Sequence, residues 1–303
     1  MFEPCRTVRP ACWRLRPRTP GRIDWPWRLS LAQGPSMAWV EVKSLGFRTD
    51  LMVRTMAGSE IEDRGDYVVV RTERNPWFWW GNFILVRDKL LASDPADWQD
   101  LFMSEFPSSA HIAIGLDTEQ PPSESIRAGA EALGLTVDVS AVLVPSRLIP
   151  PRQHTTNFEL RQLSSDSDWS QLLEMRSRLE VGDEHFGPAY VPFQQRYCEE
   201  TREMNQRSLE WSFGAFLGDR LLGSVGVVVD GAVARFQNVL TFAESRKMGV
   251  ASNLVYHVGQ FAESELGAKR LVIVADPTGP AIGIYRSLGF EETEVQVMLQ
   301  RGV

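Results

Sequence analysis

The residues that most constrain this chain lie in its last third. There Arg246-Lys247-Met248-Gly249-Val250-Ala251 stands between an apolar, strand-like run and a long amphipathic pattern. Val250, Leu254, Val258, Ala262 and Leu266 recur on one helical face, and Gly267 ends the pattern. A glycine turn that opens a helix leaves several backbone N–H groups without intrahelical acceptors, pointing at one spot by the positive end of the helix dipole. Such a turn is a cradle for phosphate oxygens. The residues after the helix narrow the fold further. Leu271-Val272-Ile273-Val274-Ala275 is apolar on both faces, as a central parallel strand requires, and Tyr285-Arg286-Ser287-Leu288-Gly289-Phe290 comes after it. This order of strand, cradle, helix, buried strand and second helix belongs to an α/β protein.

At 303 residues the chain has room for two domains. Hydrophobic residues make up 43% and charged residues 23%, an ordinary globular balance. No apolar run is long enough to span a bilayer; residues 77–86 come nearest and are broken by Gly81-Asn82. The net charge of −7 divides unevenly, with +5 on residues 1–36 and −12 on the rest. An acidic body argues against nucleic acid as the main ligand. Of three cysteines, Cys5 and Cys12 lie in the tail and Cys198 stands alone, so neither a metal site nor a disulfide framework is expected. A reducing, cytoplasmic setting is the expectation. Nothing in the sequence speaks to oligomeric state.

Residues 1–36, rich in Arg, Pro and Trp, show no periodicity and no signal-type apolar core. They read as a disordered or non-native tail ahead of Met37. Residues 37–145 read as a small α/β unit with strands near 67–72, 83–86, 111–117 and 137–144 and helices near 98–106 and 123–133. A proline-rich linker occupies 146–157, and a second domain 158–303. That domain opens with a strand near 158–163 and a helix capped by Asp166 or Ser167. A second helix carries Phe193, Tyr197, Thr201 and Met204. A hairpin turns at Gly218-Asp219-Arg220, and a strand over 232–241 leads into the cradle.

The two halves share a faint pattern. Gly81-Asn82-Phe83-Ile84-Leu85 parallels Gln237-Asn238-Val239-Leu240-Thr241, Leu116-Asp117 parallels Ala275-Asp276, and Leu133-Gly134-Leu135 parallels Leu288-Gly289-Phe290. Asn and Asp are 35 positions apart in the first set and 38 in the second. This fits a tandem repeat with a degenerate first copy, or chance likeness between two βαβ units. The loop at residues 87–92 has no glycine, so the first copy has no cradle.

Residues 158–303, with their motif between 239 and 290, resemble the acetyl-CoA-binding half of the GCN5-related N-acetyltransferase (GNAT) superfamily. The resemblance implies a mixed, mostly antiparallel sheet with flanking helices, in which two central parallel strands splay apart, preceded here by a smaller degenerate GNAT-like α/β unit. It also implies acetyl-CoA as co-substrate, and a primary amine that attacks the thioester directly in a ternary complex. On that resemblance the backbone of Val239, Leu240 and Thr241 runs beside the pantetheine arm. Backbone N–H groups of Lys247, Met248, Gly249, Val250, Ala251 and Ser252 bind the pyrophosphate, helped by the charge of Arg246 or Lys247. Tyr285 returns a proton to the departing thiolate. Thr278 stands where relatives often carry an asparagine for the pantetheine, and Ala251 replaces the commoner glycine.

The strand over 232–240 carries no carboxylate, so a general base is missing there. Glu180, Asp183, Glu184 and His185 are candidates, each also readable as a solvated loop residue. Two function classes remain: an N-acetyltransferase, or a catalytically silent acyl-CoA-binding interaction module. A nucleotide-binding regulator is disfavoured, because neither G-x-x-x-x-G-K-S/T nor G-x-G-x-x-G occurs. The acidic 180–185 loop mildly favours a cationic acceptor. Pro76-Trp77-Phe78-Trp79-Trp80 reads as packing between the two halves, or else as a ligand pocket. His257 reads as a solvent-facing or capped residue.

Overall fold

The computed structural model describes residues 40–152, 157–178 and 189–302. The arginine-rich tail and the loop bearing Glu180, Asp183, Glu184 and His185 lie outside the described residues. The first half of the chain contributes α1 (Leu45–Met56), β1 (Glu60–Asp63), β2 (Tyr67–Arg71), β3 (Phe83–Val86), α2 (Pro95–Glu105), β4 (His111–Leu116), α3 (Glu124–Ala132) and β5 (Thr136–Pro145). The second contributes β6 (Glu159–Gln162), α4 (Asp166–Arg178), α5 (Tyr190–Gln206), β7 (Glu210–Leu217), β8 (Arg220–Asp230), β9 (Val233–Thr241), α6 (Val250–Ser264), β10 (Arg270–Ala275), α7 (Ile282–Ser287) and β11 (Phe290–Gly302).

All eleven strands form one sheet in the order β1-β2-β3-β4-β11-β5-β10-β9-β8-β7-β6. The order reads nearly the same from both ends. β1-β2-β3-β4 matches β7-β8-β9-β10 in sense and connection, and β3–β4 and β9–β10 are its parallel pairs. At the centre the final strands change places. β5 ends the first half yet pairs with β10, and β11 ends the second half yet pairs with β4. β5 and β11 also pair with each other, from Phe290–Pro145 to Gln300–Thr136. Neither half therefore completes its sheet without a strand from the other.

Local chemistry accounts for the elements. The side chain of Ser44 caps α1 by accepting from Phe47 N, and Ser123 caps α3 by accepting from Ile126 N (3.3 Å). Gly218-Asp219 closes the β7–β8 hairpin, with Gly218 at φ +60°. One core lies among β2, β3, β4, α2 and the far end of β11, around Phe47, Phe83, Trp98 and Phe102. A second lies between α6 and the sheet, around Phe213, Phe236, Leu254, Val258 and Phe290. On the opposite face of β7, Phe216 packs with Trp169, Leu172 and Met175 of α4.

The aromatic run divides between two roles. Phe78 stacks on Phe193 (5.3 Å) and lies 4.9 Å from the Tyr197 ring, while the Arg196 guanidinium sits 4.8 Å over Trp77, so these two rings dock on α5. Trp79 stacks on His111 at 5.6 Å, and with Trp80 it joins the first core. Trp77 and Phe78 thus pack on α5, while Trp79 and Trp80 join a core that includes Val297, Met298 and Leu299 of β11, with Trp79 beside Gly302, so the run as a whole meets the second half. α1 adds a second junction: Arg54 pairs with Glu200 at 2.8 Å, and Arg235 binds Thr49 and Asp50 at 2.7 and 2.9 Å. No described helix is long and apolar enough to cross a membrane.

Candidate active site

β9 and β10 pair only at their first residues, Val233–Arg270, Ala234–Leu271 and Arg235–Val272. Beyond that point β10 continues along β5 through Ala275, while β9 stays with β8. The two parallel strands therefore open towards their C-terminal ends. A bulge sharpens the opening. Gln237 faces Gly226 and Leu240 faces Ser224, so β9 uses one residue more than β8 over that step. Asn238 takes φ +50° within it, a left-handed conformation that asparagine tolerates better than most residues. Its side-chain Nδ2 donates to the Tyr197 hydroxyl at 3.0 Å. Val239, Leu240 and Thr241 are all half-buried along this opening, as a cleft wall requires.

The cradle comes next along the chain. Gly249 is the N-cap of α6 with φ +76° and no side-chain cap, and Lys247 also has positive φ, at +63°. Alternating hands of backbone turn successive N–H groups inward. The helical ladder starts at Asn253, whose N–H donates to Gly249 O at 3.1 Å, leaving Val250, Ala251 and Ser252 ahead of it. Ser252 Oγ and Asn253 Nδ2 also donate to that carbonyl, at 3.0 and 2.8 Å, and fix the turn. Arg246 and Lys247 are exposed beside it. A cavity of about 430 Å³ opens here, lined by Gly249, Ser252, Gly283, Ser287, Pro280 and Arg152 among others. Arg152 brings a cation from the segment that the sequence marks only as a linker.

Tyr285, on α7, is only 4% exposed and is not among the residues that line this cavity. Its ring sits edge-on to Phe290 at 6.3 Å within the second core. Burial pushes its hydroxyl up to about 12, so the phenol keeps its proton at any physiological pH. Thr278 is exposed, and its N–H and hydroxyl both donate to Asp276 Oδ1 at 2.7 Å. Those bonds hold the Asp276 carboxyl below its ordinary range and commit the Thr278 proton, leaving only its oxygen as an acceptor. His257 is half-buried against the edge of Phe213 (5.7 Å) rather than solvent-facing, and burial lowers its pKa. Among the described residues no group of His, Cys, Asp and Glu could hold a metal ion.

Sequence reasoning missed Asn238, Arg152 and Glu210. Only the first left a signal, a polar residue of low strand propensity inside a strand.

Residues 172–290 match the model of the acetyltransferase (GNAT) family. The fold is shared with a conserved protein of unknown function from Staphylococcus epidermidis, at TM-score 0.61 and 13% identity, over 81% of this chain and 95% of that one. It is shared also with a GCN5-related N-acetyltransferase from Kribbella flavida (TM-score 0.57, 12% identity, 84% and 93% covered). A GCN5-related N-acetyltransferase from Sphaerobacter thermophilus matches at TM-score 0.53 and 15% identity, over 84% of this chain and 85% of the other. No curated protein matches the sequence.

Proposed function

We propose that the protein moves an acetyl group from acetyl-CoA to a primary amine, by direct attack in a ternary complex, a reading supported by the match of residues 172–290 to the acetyltransferase (GNAT) family model. One observation carries this reading: an uncapped helix N-terminus, with two positive-φ residues, stands beside two splayed parallel strands. The residues present suit the co-substrate. Backbone N–H groups from Lys247 to Ser252 would take the pyrophosphate, with Arg246, Lys247 and Arg152 supplying charge. The bulged strand offers main-chain groups of Val239, Leu240 and Thr241 to the pantetheine arm. Acetyl-CoA supplies an activated acyl group. The chain has to orient it, polarise its carbonyl and manage two protons. Tyr285, protonated across the working range, would donate towards the leaving sulfur.

In this reading the chain is a tandem of two GNAT-like units, 37–145 and 158–303, joined at 146–157, with only the second competent. An unpaired, buried Cys198 suits a cytoplasmic setting. The alternative, a silent acyl-CoA-binding module, draws on Thr278, whose proton is already committed. Calorimetry with acetyl-CoA, run beside free-thiol release over a panel of primary amines, separates the two. The enzyme reading expects binding and turnover of at least one amine. Binding with no turnover would favour the silent module, and no binding would defeat both.

A further inference from the structure

The sheet face opposite α6 carries a buried polar cluster to which the acetyl-transfer scheme has so far given no part. Side chains alternate along β7, so Phe213 and Ala215 face α6 while Glu210, Ser212 and Phe216 face α4 and α5. Glu210 is 4% exposed. Its Oε1 accepts from Ser212 Oγ at 3.4 Å, and among the described residues its Oε2 has no hydrogen-bond partner. The carboxylate does not stay on its own strand. A Cβ built on Gly226 of β8 would fall 2.2 Å from Glu210 Oε1 and 3.4 Å from Gln237 Cβ. The missing side chain at Gly226 thus lets the carboxylate lie across β8 towards Gln237 of β9, one residue before the bulge.

The charged and titratable groups facing Glu210 come from every element packed over it. They are Arg176 of α4, Arg54 of α1, and Tyr197, Cys198 and Glu200 of α5. None makes a hydrogen bond to it. The Arg176 guanidinium instead sits 4.6 Å over the Tyr197 ring and reaches Thr201 Oγ1 at 3.3 Å. Arg54 is engaged by Glu200 at 2.8 Å, and the Tyr197 hydroxyl accepts from Asn238 at the bulge. Arg176 Nε and Gln194 Oε1 are buried in the same cluster without partners among the described residues. A carboxylate buried beside arginines that do not close on it costs stability, and packing alone gives no reason to keep it.

We propose that Glu210 is the general base of the acetyl transfer, taking a proton from the acceptor amine at the bulge of β9, on the sheet face away from α6. The proposal rests on the acetyltransferase reading. The amine arrives as an ammonium ion and gives one proton to the Glu210 carboxylate. Its lone pair then forms the C–N bond as the C–S bond breaks. The second nitrogen proton of the attacking amine leaves to solvent, the sulfur takes up one proton, and Glu210 later releases its own to solvent. The strand over 232–240 needs no carboxylate of its own, because one reaches it from β7. Burial, partly offset by Arg176 and Arg54, pushes the Glu210 carboxyl up to about 7, a suitable value for a base working near neutrality.

The test uses the full chain, acetyl-CoA and two probe acceptors: phenethylamine, cationic at neutral pH, and hydroxylamine, largely neutral there. Glu210→Gln should lower kcat/KM for phenethylamine by about 10²-fold or more, the usual scale of general-base catalysis. It should leave hydroxylamine turnover within about threefold and acetyl-CoA affinity unchanged. In the unmodified protein, kcat/KM for phenethylamine should rise with pH through a limb near 7 that is absent with hydroxylamine; this measurement stands even if the variant does not fold. Equal losses on both amines, no loss on either, or the same limb with both would overturn the proposal. Protein that binds acetyl-CoA but acetylates neither probe overturns it while leaving the cofactor site standing. Protein that binds no acetyl-CoA overturns the underlying reading as well.

Discussion

The two halves of this molecule share a topology and differ at the place where each could hold a ligand. In the second half β9 and β10 part after Arg235 and Val272. In the first half β3 and β4 stay paired to Val86 and Leu116, and Asp117 N extends the ladder to Val86 O at 2.8 Å. The Asp117 carboxylate then accepts from Lys43 N and Ser44 N, both at 2.9 Å, and pins the incoming chain across the strand ends. The helix starts differ in the same way. Asp94 caps α2 in a reciprocal box with Asp97, and Pro95 at the first helical position has no N–H to offer. One helix N-terminus is already filled by a carboxylate of its own; the other begins at an uncapped glycine. The two halves thus keep the same strand order while one satisfies its own backbone at this point and the other leaves its helix start without a side-chain cap.

The asymmetry extends to energetics, and several experiments sharpen it. Both halves bury a carboxylate, but Asp117 is held by two backbone N–H groups, whereas Glu210, beneath the open strands of the second half, accepts among the described residues only from Ser212 Oγ. Its folded value of about 7 stands above the ordinary 4.5. Folding therefore favours the protonated form, and that stabilisation is fully present below about 4.5 and lost as pH rises through 7. Glu210→Gln removes the penalty. Denaturant titration should find it more stable than the parent at pH 8, by up to ~3 kcal/mol, with the difference vanishing near pH 4.5. A variant less stable at pH 8 would mark Glu210 as a structural anchor.

Tyr285→Phe comes next. Loss of the proton donor should lower kcat by about 10²-fold with acetyl-CoA affinity unchanged. Because Tyr285 is buried and its hydroxyl bonds to no described residue, melting temperature should stay level or rise slightly. Normal turnover with a lowered melting temperature would make Tyr285 a packing residue. The smallest effect belongs to the closed half. Asp94→Ala removes the cap of α2 and should cost about 1 kcal/mol in a denaturant titration. Acetyl-CoA affinity should not move, and a change there would show that the first half takes part in binding.

Local chemistry was legible in the sequence; pairing between distant segments was not. The cradle could be read because a glycine before an amphipathic helix fixes its own backbone, and the hairpin at Gly218-Asp219 for the same reason. The exchange of β5 and β11 left no trace, since an alternating strand looks the same whichever half it completes. α1 escaped because polar residues, Thr49 and Arg54, lie on its buried side, where Arg235 and Glu200 meet them. That arrangement blurs the apolar stripe on which helix reading depends. Nothing in the sequence around Glu210 singles it out. Its reach depends on Gly226, sixteen positions away on the next strand.

The central claim is that the open half alone holds acetyl-CoA, and calorimetric titration of the full chain tests it most directly. One acetyl-CoA per chain should bind, and Gly249→Asp should weaken it at least tenfold in a protein that remains folded. The new carboxylate would stand where the pyrophosphate charge must sit, at a cost above ~1.4 kcal/mol. Two acetyl-CoA molecules per chain, or affinity unchanged in folded Gly249→Asp, would contradict the account.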